Sequence, residues 1–251
     1  MRYFIRFSYF GKAYHGWQNQ PNAITLQETL EKALSTLLRS TIEVVGAGRT
    51  DAGVHAKEMF AHFDVEVLAD VQDLVHRLNA FLPEDIAVQE IFKVKPDAHA
   101  RFDAVERTYE YWLVQRKNPF YSDYAHFVKH LLNIDAMNKA ASFLLEHTDF
   151  ESFSKSNSDV KTFTCDVKKA FWQKQEDKLI FTITADRFLR NMVRAVVGTL
   201  LDVGTGKMKP EQINQIIESK NRSKAGVSVP AKGLYLTKVI YPKEIVDEQE
   251  R

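Results

Sequence analysis

From Tyr3 to Tyr9 the side chains alternate, with Tyr3, Ile5, Phe7 and Tyr9 on one face and Phe4, Arg6 and Ser8 on the other. This period of two predicts a strand with at least one buried face. Thr25 and Glu28 form a capping box, after which Leu26, Leu30, Ala33, Leu34 and Leu37 recur at helical spacing. Ile42 to Val45 is a short β-branched run stopped by Gly46, and Met59 to Val67 reads as a further strand. Val71, Leu74, Val75 and Leu78 mark a helix that Pro83 must end, and Ile86 to Val94 is a strand again.

Residues 3–94 therefore read β-α-β-β-α-β, the order of a ferredoxin-like split βαβ arrangement. The second half offers a similar series. Tyr109 to Gln115 alternates as a strand, and Asp135 caps a helix over Ala136 to Leu145. Val167 to Trp172 and Leu179 to Thr184 form a hairpin across 174–177. Leu189, Met192, Val193, Val196, Val197 and Leu200 share one helix face, and Pro210 opens a second helix through Ile213, Ile216 and Ile217. Gly233 leads into a last strand, Leu234 to Ile240. The expectation is an α+β fold of two related subdomains, 1–104 and 105–251, with a frayed acidic tail at Asp247-Glu248-Gln249-Glu250.

Composition narrows the class. The chain has 251 residues, 45% hydrophobic and 27% charged, too apolar for a disordered chain and long enough to bury one large core or two small ones. A single cysteine, Cys165, excludes an internal disulfide framework and a multi-cysteine zinc site and suits a reducing cytosol. No run approaches the ~20 apolar residues of a membrane span. The N-terminus, with Arg2 and Arg6 interrupting its apolar residues, does not read as a secretory signal, so a cytoplasmic protein without membrane contact is expected. A net charge of +1 argues against sequence-blind coating of nucleic acid but leaves room for a local basic surface. Lys220 to Lys232 is one candidate, holding Lys220, Arg222, Lys224 and Lys232 with no acid, and Lys12, His15 and Arg187 are others. His126 and His130 lack the intervening glutamate of a zinc-protease helix, and strand alternation accounts for His62-Phe63-Asp64, so no metal is expected.

Three of the ten glycines fall in Gly46-Ala47-Gly48-Arg49-Thr50-Asp51-Ala52-Gly53. Such a run adopts backbone geometry that projects a polar side chain. It is not a phosphate loop, because no Gly-Lys-Ser/Thr follows and no helix pattern opens after it. Asp51 is the natural nucleophile or base of the run, with Arg49 two residues away to hold its charge.

Gly48-Arg49-Thr50-Asp51-Ala52-Gly53-Val54-His55 resembles the signature of the tRNA pseudouridine synthase A family. Five further blocks extend the resemblance over nearly the whole chain. They are Tyr14-His15-Gly16-Trp17-Gln18 with Leu26-Gln27; Ala100-Arg101-Phe102 with Arg107, Tyr109 and Tyr111; His147, Asp149-Phe150 and Phe153; Phe188, Met192-Val193-Arg194 and Gly198; and Pro230-Ala231 with Gly233-Leu234 and Leu236. The resemblance implies isomerisation of uridine to pseudouridine at positions 38, 39 and 40 in the anticodon stem-loop of tRNA. It also implies a homodimer without metal or organic cofactor, and two subdomains flanking a central cleft.

By the same resemblance Asp51 matches the family's catalytic aspartate and Arg194 the arginine paired with it. Tyr109 matches the active-site tyrosine, whose ring would stack on a flipped uracil. Leu234 would pack on the base, Arg49 would position phosphate or base, and Arg101, Arg107 and Arg190 are candidates for RNA contact. A non-catalytic RNA-binding protein with two RRM-like sheets is the alternative. It calls for an RNP-type aromatic run, which the sequence lacks.

Overall fold

The computed structural model describes residues 1–155 and 161–246; the acidic tail at 247–250 lies outside the described residues. Nine strands and five α-helices occur among the described residues, a mixed α/β structure. The chain divides into two compact units, Met1–Glu106 together with the chain from Leu236 onward, and Arg107–Tyr235.

In the first unit, β1 (Arg2–Tyr9), α1 (Leu26–Leu38), β2 (Val45–Gly46), β3 (His55–Asp64), α2 (Val71–Phe81) and β4 (Ile86–Val94) follow the expected order. β1 lies between its two antiparallel partners, with Ile5 opposite both Ala61 of β3 and Ile91 of β4. Its alternating face is buried as the pattern requires, and Phe4 on the other face is buried too, against Tyr241 and Phe92. Thr25 caps α1 by accepting from the Glu28 amide, and Asp70 caps α2 by accepting from the Asp73 amide. Two strands differ from expectation in their limits. β3 begins four residues before Met59 and stops at Asp64, because its extent follows β1, from Tyr9 opposite Ala56 to Arg2 opposite Asp64. β2 is only two residues and includes Gly46, where a Cβ would lie 2.5 Å from the Trp17 ring.

The second unit contains β5 (Glu106–Val114, from Arg107), β6 (His126–Phe127), α3 (Ile134–Phe143), β7 (Val167–Gln175), β8 (Lys178–Ala185), α4 (Met192–Gly204) and α5 (Gln212–Glu218). β8 is antiparallel to both β5 and β7, and the short β6 runs parallel to β5. The β7–β8 ladder continues to Gln175 opposite Lys178, so the turn is only Glu176-Asp177, with Glu176 in the left-handed region (φ 52°). Asn133, not Asp135, caps α3: its side-chain oxygen accepts from the Ala136 amide at 3.0 Å, which leaves Asp135 in the first turn. The unit thus runs β-β-α-β-β-α-α, with β6 added to the expected series and α5 burying the expected Ile213, Ile216 and Ile217.

The final strand, β9 (Leu234–Ile240), leaves the second unit after Tyr235. Its remainder runs beside β3, where the Val239 amide donates to the Glu58 carboxylate at 2.9 Å. Nearby, Ile240 accepts from the Val105 amide, and the Tyr241 hydroxyl donates to the Ala100 carbonyl at 2.6 Å.

Candidate active site

The loop carrying Asp51 is held by backbone on both flanks. The Ala47 amide donates to Phe60 O at 2.7 Å, and the Val54 amide returns to Asp51 O at 3.2 Å. Gly53 occupies the third position of that turn with φ 76°, a conformation a side chain would strain. Thr50 is buried and its hydroxyl hydrogen-bonds the Tyr9 phenol at 2.9 Å, while its carbonyl accepts from the Trp17 amide. The segment 11–17 closes over the loop because two glycines permit it. A Cβ on Gly11 would collide with the Val54 carbonyl oxygen, and one on Gly16 would meet Thr50 O at 2.5 Å. His55 completes the clamp, with Nδ1 accepting from the Gly11 amide at 2.9 Å and its ring stacked on Phe10 at 4.2 Å. Within this frame Asp51 is half-buried and Arg49 exposed.

Arg101 belongs to a second loop of the same unit, organised by two imidazoles. His99 Nδ1 accepts from the Arg101 and Phe102 amides, and the buried His62 accepts from the Ala100 amide at 3.1 Å. Burial, reinforced by the charges of Arg2 and His99, lowers His62 to about 4, so near neutral pH it stays an uncharged acceptor. The loop presents Phe102 to solvent (73% exposed), with His99 against one part of the ring and the Arg101 guanidinium 5.6 Å from its centre.

The second unit carries Arg107, Tyr109, Arg190, Arg194 and Leu234. Tyr109 sits on β5 opposite Ile183, half-buried, and Phe188 meets its ring edge-on at 5.1 Å. Two residues earlier, Arg107 donates to the Asp186 carbonyl at 2.7 Å. Arg194 lies in the first turn of α4, half-buried in a helix that is otherwise largely core. Its Nε donates to Val229 O at 2.8 Å, and its own carbonyl accepts from the Val229 amide at 3.2 Å, so one residue brackets it from both sides. Next to Val229, the Pro230 carbonyl accepts from the Tyr111 phenol at 2.7 Å. Burial drives that phenol's pKa up against the opposing charge of Arg194, keeping it a donor. Arg190 is exposed at the entry to α4, and Leu234 is buried at the start of β9.

Arg49 and Asp51 therefore share one loop, and Arg107 and Tyr109 share one strand. The basic stretch 220–232 reads differently from the sequence expectation. Lys220 pairs with Asp149 at 2.7 Å, Lys232 donates to Ser122 O, and Arg222 holds the carbonyls of Ala225 and Gly226 and the Ser228 hydroxyl. Three of its four cations thus have partners within the unit. Sequence reading missed the roles of Gly11, Tyr9 and Phe188. A glycine ahead of an aromatic-rich segment was the available signal, but nothing local tells which backbone it approaches.

Residues 6–103 and 140–242 match the profile of a family described as tRNA pseudouridine synthase. The chain belongs to the tRNA pseudouridine synthase family, a family of isomerases. Among curated proteins it is 52% identical over 253 residues to the tRNA pseudouridine synthase A of Bacteroides thetaiotaomicron, an alignment covering 100% of this chain and 94% of that protein. It is 53% identical to the protein of that name in Bacteroides fragilis, with 98% of each chain covered. For the Thermoanaerobacter sp. protein of the same name the identity is 41%, over 93% of this chain and 96% of the relative.

Proposed function

We propose that this isomerase acts on tRNA, converting uridine to pseudouridine at positions 38, 39 and 40 of the anticodon stem-loop, with Asp51 as its nucleophile or base. The observation that carries this reading is the loop at 46–55, where the neighbours of Asp51 are fixed by backbone and by buried side chains while Asp51 itself is only half-buried. A carboxylate carried on a loop fixed in this way needs little backbone reorganisation when substrate arrives, which favours electrostatic and nucleophilic catalysis.

The reaction breaks the N1–C1′ bond, turns the uracil and joins C5 to C1′, with the C5 proton lost and N1 protonated. Asp51 serves by attack on C1′, by addition to C6 or by removal of the 2′ proton, and each route needs it ionised. Arg194 is its proposed partner and would orient it. The uridine leaves its stack, and Tyr109 offers a face to the base, worth ~1–3 kcal/mol against the unstacking cost. Phe188, packed edge-on to Tyr109, fixes the ring's plane. Leu234 supplies an apolar contact, and Arg49, Arg101, Arg107 and Arg190 contact RNA. The working form is a cytoplasmic homodimer. The test is to incubate an unmodified tRNA transcript with the protein and map pseudouridine by carbodiimide modification and primer extension. Stops at 38, 39 or 40 are expected, and a transcript unmodified at all three contradicts the reading.

A further inference from the structure

The segment 222–230 lies in the basic stretch that the sequence offers as a phosphate-binding surface, yet its hydrogen bonds run toward α4. The Ser228 hydroxyl oxygen accepts from two donors, Asn191 Nδ2 at 2.6 Å and Arg222 Nη2 at 2.8 Å. Asn191 is the residue before α4 and holds a left-handed conformation (φ 66°), a geometry that asparagine tolerates better than most residues. One oxygen therefore ties the entry of α4 to the turn at 222–226. Arg222 Nη1 in turn gathers the Ala225 and Gly226 carbonyls at 3.3 and 3.1 Å, and the Gly226 amide donates to Thr199 Oγ1 at 2.8 Å. A Cβ on Gly198 would collide with the Val227 carbonyl, so the segment lies directly on the helix backbone. The residue after Ser228 is Val229, which brackets Arg194 through both its amide and its carbonyl.

We propose that Arg222 and Ser228 are positioning residues that act through Arg194, holding Val229 so that the Arg194 guanidinium is fixed about its Nε, and that Arg222 is not a phosphate ligand. This rests on the reading of Arg194 as a catalytic residue. Arg222 uses Nη1 and Nη2 on three protein acceptors in one turn, and a flexible surface cation gathering phosphates would not be so committed. Removing the guanidinium or the Ser228 oxygen loosens Val229 and lets Arg194 swing without touching RNA.

The test is tritium release from C5 of uridine in a tRNA transcript, under single turnover with saturating enzyme, alongside tRNA affinity across a salt series. The variants are Arg222→Gln, Ser228→Ala, Ser228→Thr and Arg194→Gln. Expected for Arg222→Gln and Ser228→Ala is a fall of roughly tenfold or more in the rate constant, with tRNA affinity and its salt slope unchanged. Ser228→Thr, which keeps the oxygen, should recover most of the rate. A purely structural role lowers only the fraction of active protein, which excess enzyme masks, so the rate constant separates the two. If Arg222→Gln does not fold, Ser228→Ala and Ser228→Thr carry the same readout. Weaker binding with a salt slope reduced by about one, at an unchanged saturated rate, would make Arg222 a phosphate ligand and overturn the proposal. Loss of activity in Arg194→Gln with normal rates in Arg222→Gln and Ser228→Ala overturns the positioning role alone. A wild-type rate in Arg194→Gln removes the catalytic reading of Arg194 and the proposal with it.

Discussion

Gly11 and Asp51 are forty residues apart, yet the first decides how firmly the second is held. The absent side chain at Gly11 lets its backbone reach the Val54 carbonyl and donate to His55, the residue that closes the Asp51 loop. Gly11→Ala forces these backbones apart, an overpacking that costs ~1–3 kcal/mol. A lowered thermal midpoint together with slower isomerisation is therefore expected, and an alanine variant with wild-type stability and rate would show that the close approach is dispensable. Tyr111 poses the complementary case, a buried phenol whose one hydroxyl satisfies the Pro230 carbonyl. Tyr111→Phe leaves that carbonyl without its donor and should lower stability by about 1–3 kcal/mol in denaturant unfolding.

At the scale of elements, local pattern was a good guide wherever burial alone decides. β4 and β9 match the expected limits, and the N-cap and buried face of α1 are those its sequence spacing predicts, because period and caps are written in neighbouring residues. What depended on a distant partner was not legible. The ends of β3 follow β1, and Lys220 and Lys232 find their partners far along the chain, in Asp149 and the Ser122 carbonyl. The cap of α3 was missed for a local reason, since Asn133 and Asp135 are both capping residue types and the helix starts after the first of them. Of the candidate site, Asp51 stood out through its glycines. The clamp around it did not, since glycine contacts and the Thr50–Tyr9 bond depend on tertiary packing. The Arg101 loop adds a pH-sensitive element. His62 is lowered to about 4 in the folded chain, so the unfolded state takes up a proton first, near the ordinary 6.5. The stability that neutral His62 supports is complete above pH 6.5 and drains away as the pH falls toward 4. His62→Asn keeps an acceptor for the Ala100 amide without the titration. Its stability relative to wild type should therefore improve across that window, and a constant difference would contradict the assignment.

For the molecule as a whole, near-neutral net charge and local cations lead to a specific expectation about RNA binding. Affinity for tRNA should fall with salt, because phosphate contacts release counterions, but with the modest slope of a few contacts rather than that of a cationic coat. In the proposed dimer, sedimentation at micromolar concentration should report about twice the 28.9 kDa chain mass. The candidate residues are distributed over both units, with Asp51, Arg49 and Arg101 in the first and Arg107, Tyr109, Arg190, Arg194 and Leu234 in the second. In this account the chemistry passes through one carboxylate. The most direct measurement is release of tritium from C5 of uridine in a tRNA transcript by wild type and by Asp51→Asn, which keeps the size and removes the charge. Release by wild type and none by the variant, with tRNA still bound by both, is predicted. Release by both would contradict the role of Asp51, and binding without release by either would make the chain an RNA-binding protein that does no chemistry.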